Sequence, residues 1–396
     1  MKEIAEHIIY VGVDDHEMDL FEGQYKVPKG MSYNSYVILD EKTAVMDTVD
    51  IKKTKEWLEN VKQALAGRKP DYLVIQHMEP DHSASIEAFM QQYPQTTVVG
   101  NIRTFGMMEQ FFPQMKLQHI LKVKDGECLK LGRHTLQFMF APMIHWPEVM
   151  MTYEACEKIL FSADGFGKFG ALDAEEDWTG EAARYYFGIV GKYGMQVQDL
   201  LKKAAGLDIR MICPLHGPVL TQELAYYLGL YDIWSSYRPE KEGVCICYSS
   251  IYGHTAEAVK LLAGMLEKAG VSTICHDLAR TDMAEAVKDA FCYDRLVLAS
   301  VTYNGGVFPH MKTFLATLGE RGYRSRKVAF IENGSWAPMA GKQMQTVVRD
   351  WKDIILAEHT VTVRSALNEE SALQIQMLAQ ELAAQESAAH LNAGTV

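Results

Sequence analysis

The chain has 396 residues, a net charge of −12 at pH 7, and a composition that is 48% hydrophobic and 23% charged, the balance of a soluble globular protein. That length exceeds the roughly 100–200 residues of a single domain and points to two. The acidic surplus argues against nucleic acid, which needs basic patches, and no apolar run approaches the roughly 18 residues of a membrane span. The polar start, Met1-Lys-Glu-Ile-Ala-Glu6, is not a secretory signal. Seven scattered cysteines make neither a disulfide framework nor a Cys-x-x-Cys knuckle, so a reducing cytoplasm is the expected compartment.

Short strand-like runs fall at 35–39, 43–46, 73–75, 97–99, 136–140, 159–161 and 211–213, with helical segments such as 52–65 and 83–92 between them. A helix over 222–236 leads into Arg238-Pro-Glu-Lys-Glu-Gly243, a charged segment bounded by Pro and Gly that reads as a linker. Beyond it, strands at 244–248, 272–275, 295–299, 327–331 and 354–363 alternate with helices at 255–269, 282–290, 309–319, 340–351 and 368–387. Ala388 to Val396 reads as a frayed tail. Regular strand–helix alternation implies a doubly wound, five-stranded parallel sheet. Domains are therefore expected over 1–242 and 243–396, both in the α/β class.

The densest chemistry lies in His77-Met-Glu79-Pro-Asp81-His82, directly after the apolar run 72–75 and Gln76. Two imidazoles and two carboxylates in one small volume need partners or a metal. His145, Asp164 and His216 each follow a strand-like run, in loops of the kind that carry ligands. Taken alone, each of the three reads as an ordinary core or surface residue; their common placement gives them weight. Seven candidates are too many for one tetrahedral ion. They suit two ions, each with three terminal ligands, and one shared carboxylate. The histidines at 7, 16, 119, 134, 276, 310, 359 and 390 lack such context and read as ordinary residues. No catalytic residue is expected beyond the metal ligands.

This pattern resembles the metallo-β-lactamase fold, and specifically its flavodiiron branch, where His-x-Glu-x-Asp-His replaces the His-x-His-x-Asp-His of the zinc hydrolases. The resemblance implies an N-terminal αββα sandwich with two irons. His77, Glu79 and His145 would hold one, Asp81, His82 and His216 the other, and Asp164 would bridge them. Zinc sites favour nitrogen and sulfur, whereas four imidazoles with three carboxylates make a harder shell that suits iron. Trp146-Pro147-Glu148 also matches the family. Trp146 would wall the pocket and Tyr193 would cover it.

In the second domain, strand 244–248 runs into Ser249-Ser250-Ile251-Tyr252-Gly253-His254-Thr255 and a helix. Hydroxyls, a glycine and backbone N–H groups at a helix N-terminus form an anion site, and no lysine lies in the loop. It resembles the flavodoxin phosphate loop, which implies FMN. Val301-Thr302-Tyr303-Asn304-Gly305-Gly306 and Glu332-Asn333-Gly334-Ser335-Trp336-Ala337 follow the third and fourth strands, at the carboxyl ends where open α/β sheets bind ligands. Tyr303 and Trp336 are the aromatics expected to face the isoalloxazine. The chain departs from the family at His254, often Asn or Ser, at Ile251, often Met, and at Val301, where Pro is common.

Together the two sites imply an oxidoreductase that takes dioxygen to water, nitric oxide to nitrous oxide, or both, with FMN relaying one or two electrons to the metals. The resemblance also implies a head-to-tail homodimer, alone or as a dimer of dimers, that sets the flavin of one subunit against the iron centre of the other. Without the paired Cys-x-x-Cys knuckles of a rubredoxin, the chain is expected to draw electrons from a separate rubredoxin or another low-potential carrier. Three rivals stand beside this reading: a nitric oxide reductase as the main activity, a zinc hydrolase with a passenger flavodoxin domain, and an electron carrier whose first domain has lost its site. Glu79 and the flavin loops count against the hydrolase, since zinc has no redox chemistry for FMN to feed. All seven ligands being present counts against the carrier.

Overall fold

A computed structural model describes residues 2–175 and 177–384. The expected tail, Ala388–Val396, and the end of the expected helix 368–387 lie outside the described residues. The chain divides into two compact units, Met1–Asp232 and Ile233–Val396.

In the first unit, strands such as Tyr36–Ile38, Ala44–Met46 and Ile159–Phe161 are buried at every position. Runs this apolar on both faces need a layer on each side. They build two sheets. One is ordered Lys2–Ala5, Ile8–Tyr10, Tyr36–Ile38, Ala44–Met46, Tyr72–Val74, Thr97–Gly100, Ile120–Lys122. The other runs Cys128–Lys130, Thr135–Phe140, Met150–Glu154, Ile159–Phe161, Met211–Cys213. Ile38, Met46, Val74 and Val99 of the first sheet meet Phe138, Met150, Phe161 and Cys213 of the second in one core. Helices complete the αββα sandwich that was expected. Thr54–Leu65 shows why they stay on the faces: it buries Trp57, Val61, Ala64 and Leu65, one stripe at helical spacing. Thr135–Phe140, Ile159–Phe161 and Met211–Cys213 point the same way in the sheet, so the loops carrying His145, Asp164 and His216 leave from one end.

The second unit is a parallel sheet ordered Thr273–Asp277, Lys241–Ser249, Tyr293–Tyr303, Lys327–Asn333, Ile355–Val363, with helices between successive strands. A sixth, two-residue strand, Gly306–Val307, folds back antiparallel on Tyr293–Tyr303. Its turn is Asn304-Gly305, with φ of 50° and 72°, the left-handed pair that a tight hairpin demands. The expected linker over 238–243 is not slack. Lys241 already begins the first strand, and Gly243 holds a φ of 148° where a Cβ would sit 2.5 Å from the Ser272 carbonyl. The division between units falls earlier, within helix Leu224–Ser235. No helix among the described residues is long and apolar enough to cross a membrane.

Candidate metal centre and loop pocket

All seven residues expected as ligands converge at one end of the sandwich, and they sort into two sets. His77 Nε2 and His145 Nε2 approach Glu79 Oε2 at 3.2 and 2.9 Å and Asp164 Oδ2 at 3.2 Å each. His82 Nε2 and His216 Nε2 approach Asp81 Oδ2 at 3.2 Å each, and Asp164 Oδ1 at 3.3 and 3.7 Å. Asp164 thus offers one oxygen to each set. His77, His82, Asp164 and His216 are fully buried. Pro80 opens the short turn of helix that swings Asp81 and His82 inward.

The electrostatics are those of a crowded acid–imidazole cluster. Burial, helped by the charges of Glu79 and Asp164 and opposed by His82, pushes the Asp81 carboxyl up to about 7. Burial acts on Glu79 too, yet its contacts with His145 and His77 hold it well below the carboxylate range. His145 is pulled down by burial but lifted by Asp164 and Glu79 to about 9. Burial wins at His216, whose pKa falls. His82 Nε2 and His216 Nε2 face each other at 3.0 Å. Both oxygens of Asp81 and of Asp164 lack a hydrogen-bond donor among the described residues. Leaving buried carboxylates without donors costs several kcal/mol unless a cation binds them.

Outer residues fix the imidazoles. His77 Nδ1 lies 2.8 Å from buried Glu148 Oε1, which also accepts the Met78 N–H at 2.9 Å. His216 Nδ1 lies 2.7 Å from the Ser32 carbonyl. With Nδ1 donating, Nε2 of each ring is the nitrogen left to bind a metal. Asp47, at a φ of 54°, pins the His77 loop through the Gln76 N–H at 2.7 Å and the Gln76 side chain at 2.8 Å. Trp146 packs edge-on to His77 with centroids 5.3 Å apart, while Phe21, Tyr185 and Tyr33 ring His216 at 5.3, 5.6 and 6.0 Å. Tyr193 is half-buried at the end of the turn Gly191–Tyr193; Tyr185 and Tyr33 are the tyrosines set against His216. Glu22, exposed as a residue but with its carboxyl raised by partial desolvation and by the charge of Glu79, had no motif to mark it. Neither had Phe21 or Tyr185.

In the second unit, a cavity of about 480 Å³ opens where four strands end. Ser250, Ile251, Tyr252, His254 and Thr255 line it from the first loop, Thr302, Tyr303, Asn304 and Gly305 from the second, and Asn333, Gly334, Ser335 and Trp336 from the third. Three expected contacts stand outside this lining. Ser249 is buried in the sheet; Gly253 turns the chain into helix His254–Lys268 at a φ of 99°; Gly306 starts the hairpin's return strand. His254 Nδ1 lies 3.1 Å from Glu257, on its own helix. Ser365, after the fifth strand, joins the lining; its carbonyl accepts from Asn333 at 3.0 Å and its hydroxyl bonds Ser335 at 2.8 Å. A fourth strand terminus was the available signal for it. Trp336 is 89% exposed at the rim, an aromatic that burial by a flat ligand would reward.

A model of the ODP family beta lactamase domain matches residues 31–217. The nitric oxide reductase of Moorella thermoacetica is 28% identical over 91% of this chain and 92% of its own length. The flavodiiron protein of Giardia intestinalis superposes over 96% of this chain and 95% of its own, with a TM-score of 0.91 and 26% identity. Over nearly its whole length the chain resembles the flavodiiron proteins. The fold is also that of the rubredoxin oxygen:oxidoreductase of Desulfovibrio gigas, at a TM-score of 0.89, 24% identity, and 96% and 97% coverage of the two chains.

The protein is an oxidoreductase that uses FMN and a non-heme diiron site. Its own residues fit both groups. Four donor-less carboxylate oxygens and facing imidazole nitrogens suit hard, charged ions. The second unit offers a cavity walled by hydroxyls, amides and exposed aromatics, with the N-terminus of a 15-residue helix in its first loop, where a phosphate is favoured.

Proposed function

We propose that the chain is a flavodiiron protein that reduces dioxygen to water as its main activity, with the conversion of nitric oxide to nitrous oxide as a second. His77, Glu79 and His145 would hold one iron and Asp81, His82 and His216 the other, with Asp164 offering an oxygen to each. The split of Asp164, one oxygen toward each set, is the observation that carries this assignment. The first unit would house the metals and the second the flavin, through Ser250–Tyr252, His254, Thr255, Thr302–Gly305 and Asn333–Trp336. When bound, the irons supply the site of gas reduction and FMN relays electrons to it.

The chain's residues do the positioning. Glu148 and the Ser32 carbonyl lock His77 and His216 with Nε2 inward. Phe21, Tyr33, Tyr185 and Trp146 wall the imidazoles with apolar surface, which limits water beside the reacting gas. A rubredoxin or another low-potential carrier delivers the electrons. A head-to-tail homodimer, or a dimer of such dimers, sets each flavin against the partner's metals, and the protein works in the cytoplasm. The likeness to the Moorella nitric oxide reductase favours a second reading, with nitric oxide as the main substrate.

Anaerobic stopped-flow mixing of the fully reduced holoenzyme with dioxygen, and separately with nitric oxide, tests both readings through the flavin absorbance. Fast reoxidation by dioxygen with water rather than peroxide as product is expected. Fast reaction only with nitric oxide selects the second reading, and no fast phase with either gas overturns both.

A further inference from the structure

Among the described residues of the first unit, one buried histidine lies outside the diiron cluster, and it repeats part of that cluster's signature. His134 is fully buried, at the far end of strand Thr135–Phe140 from His145. Its Nδ1 pairs at 3.1 Å with Oε1 of Glu154, also fully buried, a contact that raises the imidazole pKa, while Nε2 has no hydrogen-bond partner among the described residues. A similarly short N···O approach joins His82 and Asp164 in the diiron cluster. Cys156 completes a trio in which a nitrogen, a carboxylate oxygen and a sulfur all lie within 4.8 Å of one another. None of the three belongs to a recognisable motif.

We propose that His134, Glu154 and Cys156 form a third metal site, specific for zinc, with water as the fourth ligand. Thiolate, imidazole and carboxylate are zinc's own ligand types, and three protein ligands fit a four-coordinate ion with one open position. The iron cluster is all nitrogen and oxygen; the sulfur here selects the softer ion. A thiolate, a carboxylate and a neutral imidazole carry two negative charges, which a divalent cation cancels. Glu154 keeps capacity for a metal: Oε1 accepts the Cys156 N–H at 2.8 Å and Oε2 the Glu157 N–H at 2.7 Å, and each oxygen retains a second lone pair. Arg133 donates Nε–H to Cys156 Sγ at 3.1 Å and is itself held by Glu6 and Glu157, an outer-shell partner of the kind that orients a metal-bound sulfur. The site ties the turn at Leu131–His134 to the turn at Glu154–Lys158, so its role is to brace the sandwich at the end opposite the diiron centre.

Metal analysis of the holoenzyme, purified without chelators, is expected to find one zinc per chain beside the two irons. Cys156→Ser, at a half-exposed position that should not disturb folding, is expected to lower that zinc at least about tenfold with iron and FMN unchanged; His134→Gln should do the same. Cobalt(II) loaded in place of zinc should give a thiolate-to-metal charge-transfer band that Cys156→Ser abolishes. A holoenzyme holding iron alone, which takes up no added zinc or cobalt beyond what Cys156→Ser takes up, overturns the proposal.

Discussion

Arg326 and Asp164 are both buried charges, 1% and 0% exposed, and the protein accommodates them in opposite ways. Arg326, in the second unit, spends its guanidinium on backbone carbonyls: Nε on Tyr293 at 2.8 Å, Nη1 on Tyr237 at 2.6 Å and Ser325 at 3.0 Å, and Nη2 on Phe291. Asp164, in the first unit, has no hydrogen-bond donor on either oxygen among the described residues, and imidazole nitrogens converge on it instead. A charge whose hydrogen-bonding capacity is answered by backbone is structural, because nothing further can bind without breaking those bonds. A charge whose lone pairs converge with others on one point has a free energy that only a ligand recovers. The difference separates scaffold from site without reference to any motif.

The comparison breaks if the two residues respond alike to substitution. Asp164→Asn keeps the size but turns one oxygen into an N–H donor aimed at imidazole nitrogens. Loss of bound iron and a fall in turnover well beyond about a hundredfold are expected, read by metal content and stopped flow, with the fold intact; two retained irons and an unchanged rate would sink the bridging role. Arg326→Met should do the reverse. It strands several buried carbonyls and should cost about 3–5 kcal/mol of stability, read by denaturant unfolding followed through the flavin, with the metals unaffected. A loss under about 1 kcal/mol would remove Arg326 as the structural pole of the contrast. Glu148 lies between the poles, being hydrogen-bonded itself while orienting a ligand. Glu148→Ala should weaken iron binding by about 10–100-fold, whereas Glu148→Gln, which can still accept from His77 Nδ1 and Met78, should lose less. Equal losses in the two variants would make the charge, not the orientation, the operative property.

How much of this was legible in the sequence follows the same division. The alternation of apolar runs and helices gave the second unit's five parallel strands in order, because parallel strands covered on both faces are continuously apolar. The convergence of the acid–imidazole cluster was legible because His77, Glu79, Asp81 and His82 are adjacent in sequence and strand ends placed the other three. What stayed hidden depends on the third dimension. Glu148 stood inside a readable segment and Asp47 just beyond the strand-like run 43–46, but only folding shows that they grip His77 and its loop. Phe21 and Tyr185 reach His216 from segments with no periodic signal, and Met150–Glu154, fully buried, follows loops too irregular to announce a strand. His134 looked ordinary because Glu154 and Cys156 meet it only across antiparallel neighbours. The linker reading failed at Lys241–Gly243 because charge and glycine mark a strand's exposed, irregular start as readily as a loop.

The smallest expected effect tests whether an ordinary structural carboxylate behaves as the scaffold pole requires. Glu381, on helix Glu369–Ala383, accepts from the backbone of Glu358 at 2.9 Å and His359 at 3.1 Å, and contacts His359 Nδ1 at 2.8 Å and Lys327 Nζ at 3.1 Å. Burial would raise its pKa, but His359, those N–H groups and Lys327 outweigh it and bring the carboxyl from 4.5 to about 2. A folded-state pKa below the unfolded one means the carboxylate stabilises the fold fully above pH 4.5 and progressively less as pH falls toward about 2. Glu381→Gln should therefore cost about 1–2 kcal/mol at neutral pH and flatten the loss of stability across that acid window. Chemical denaturation at a series of pH values measures it. Parallel curves for the two proteins over the window would mean that the helix and strand are held by packing alone, and that a fully answered charge can be energetically silent.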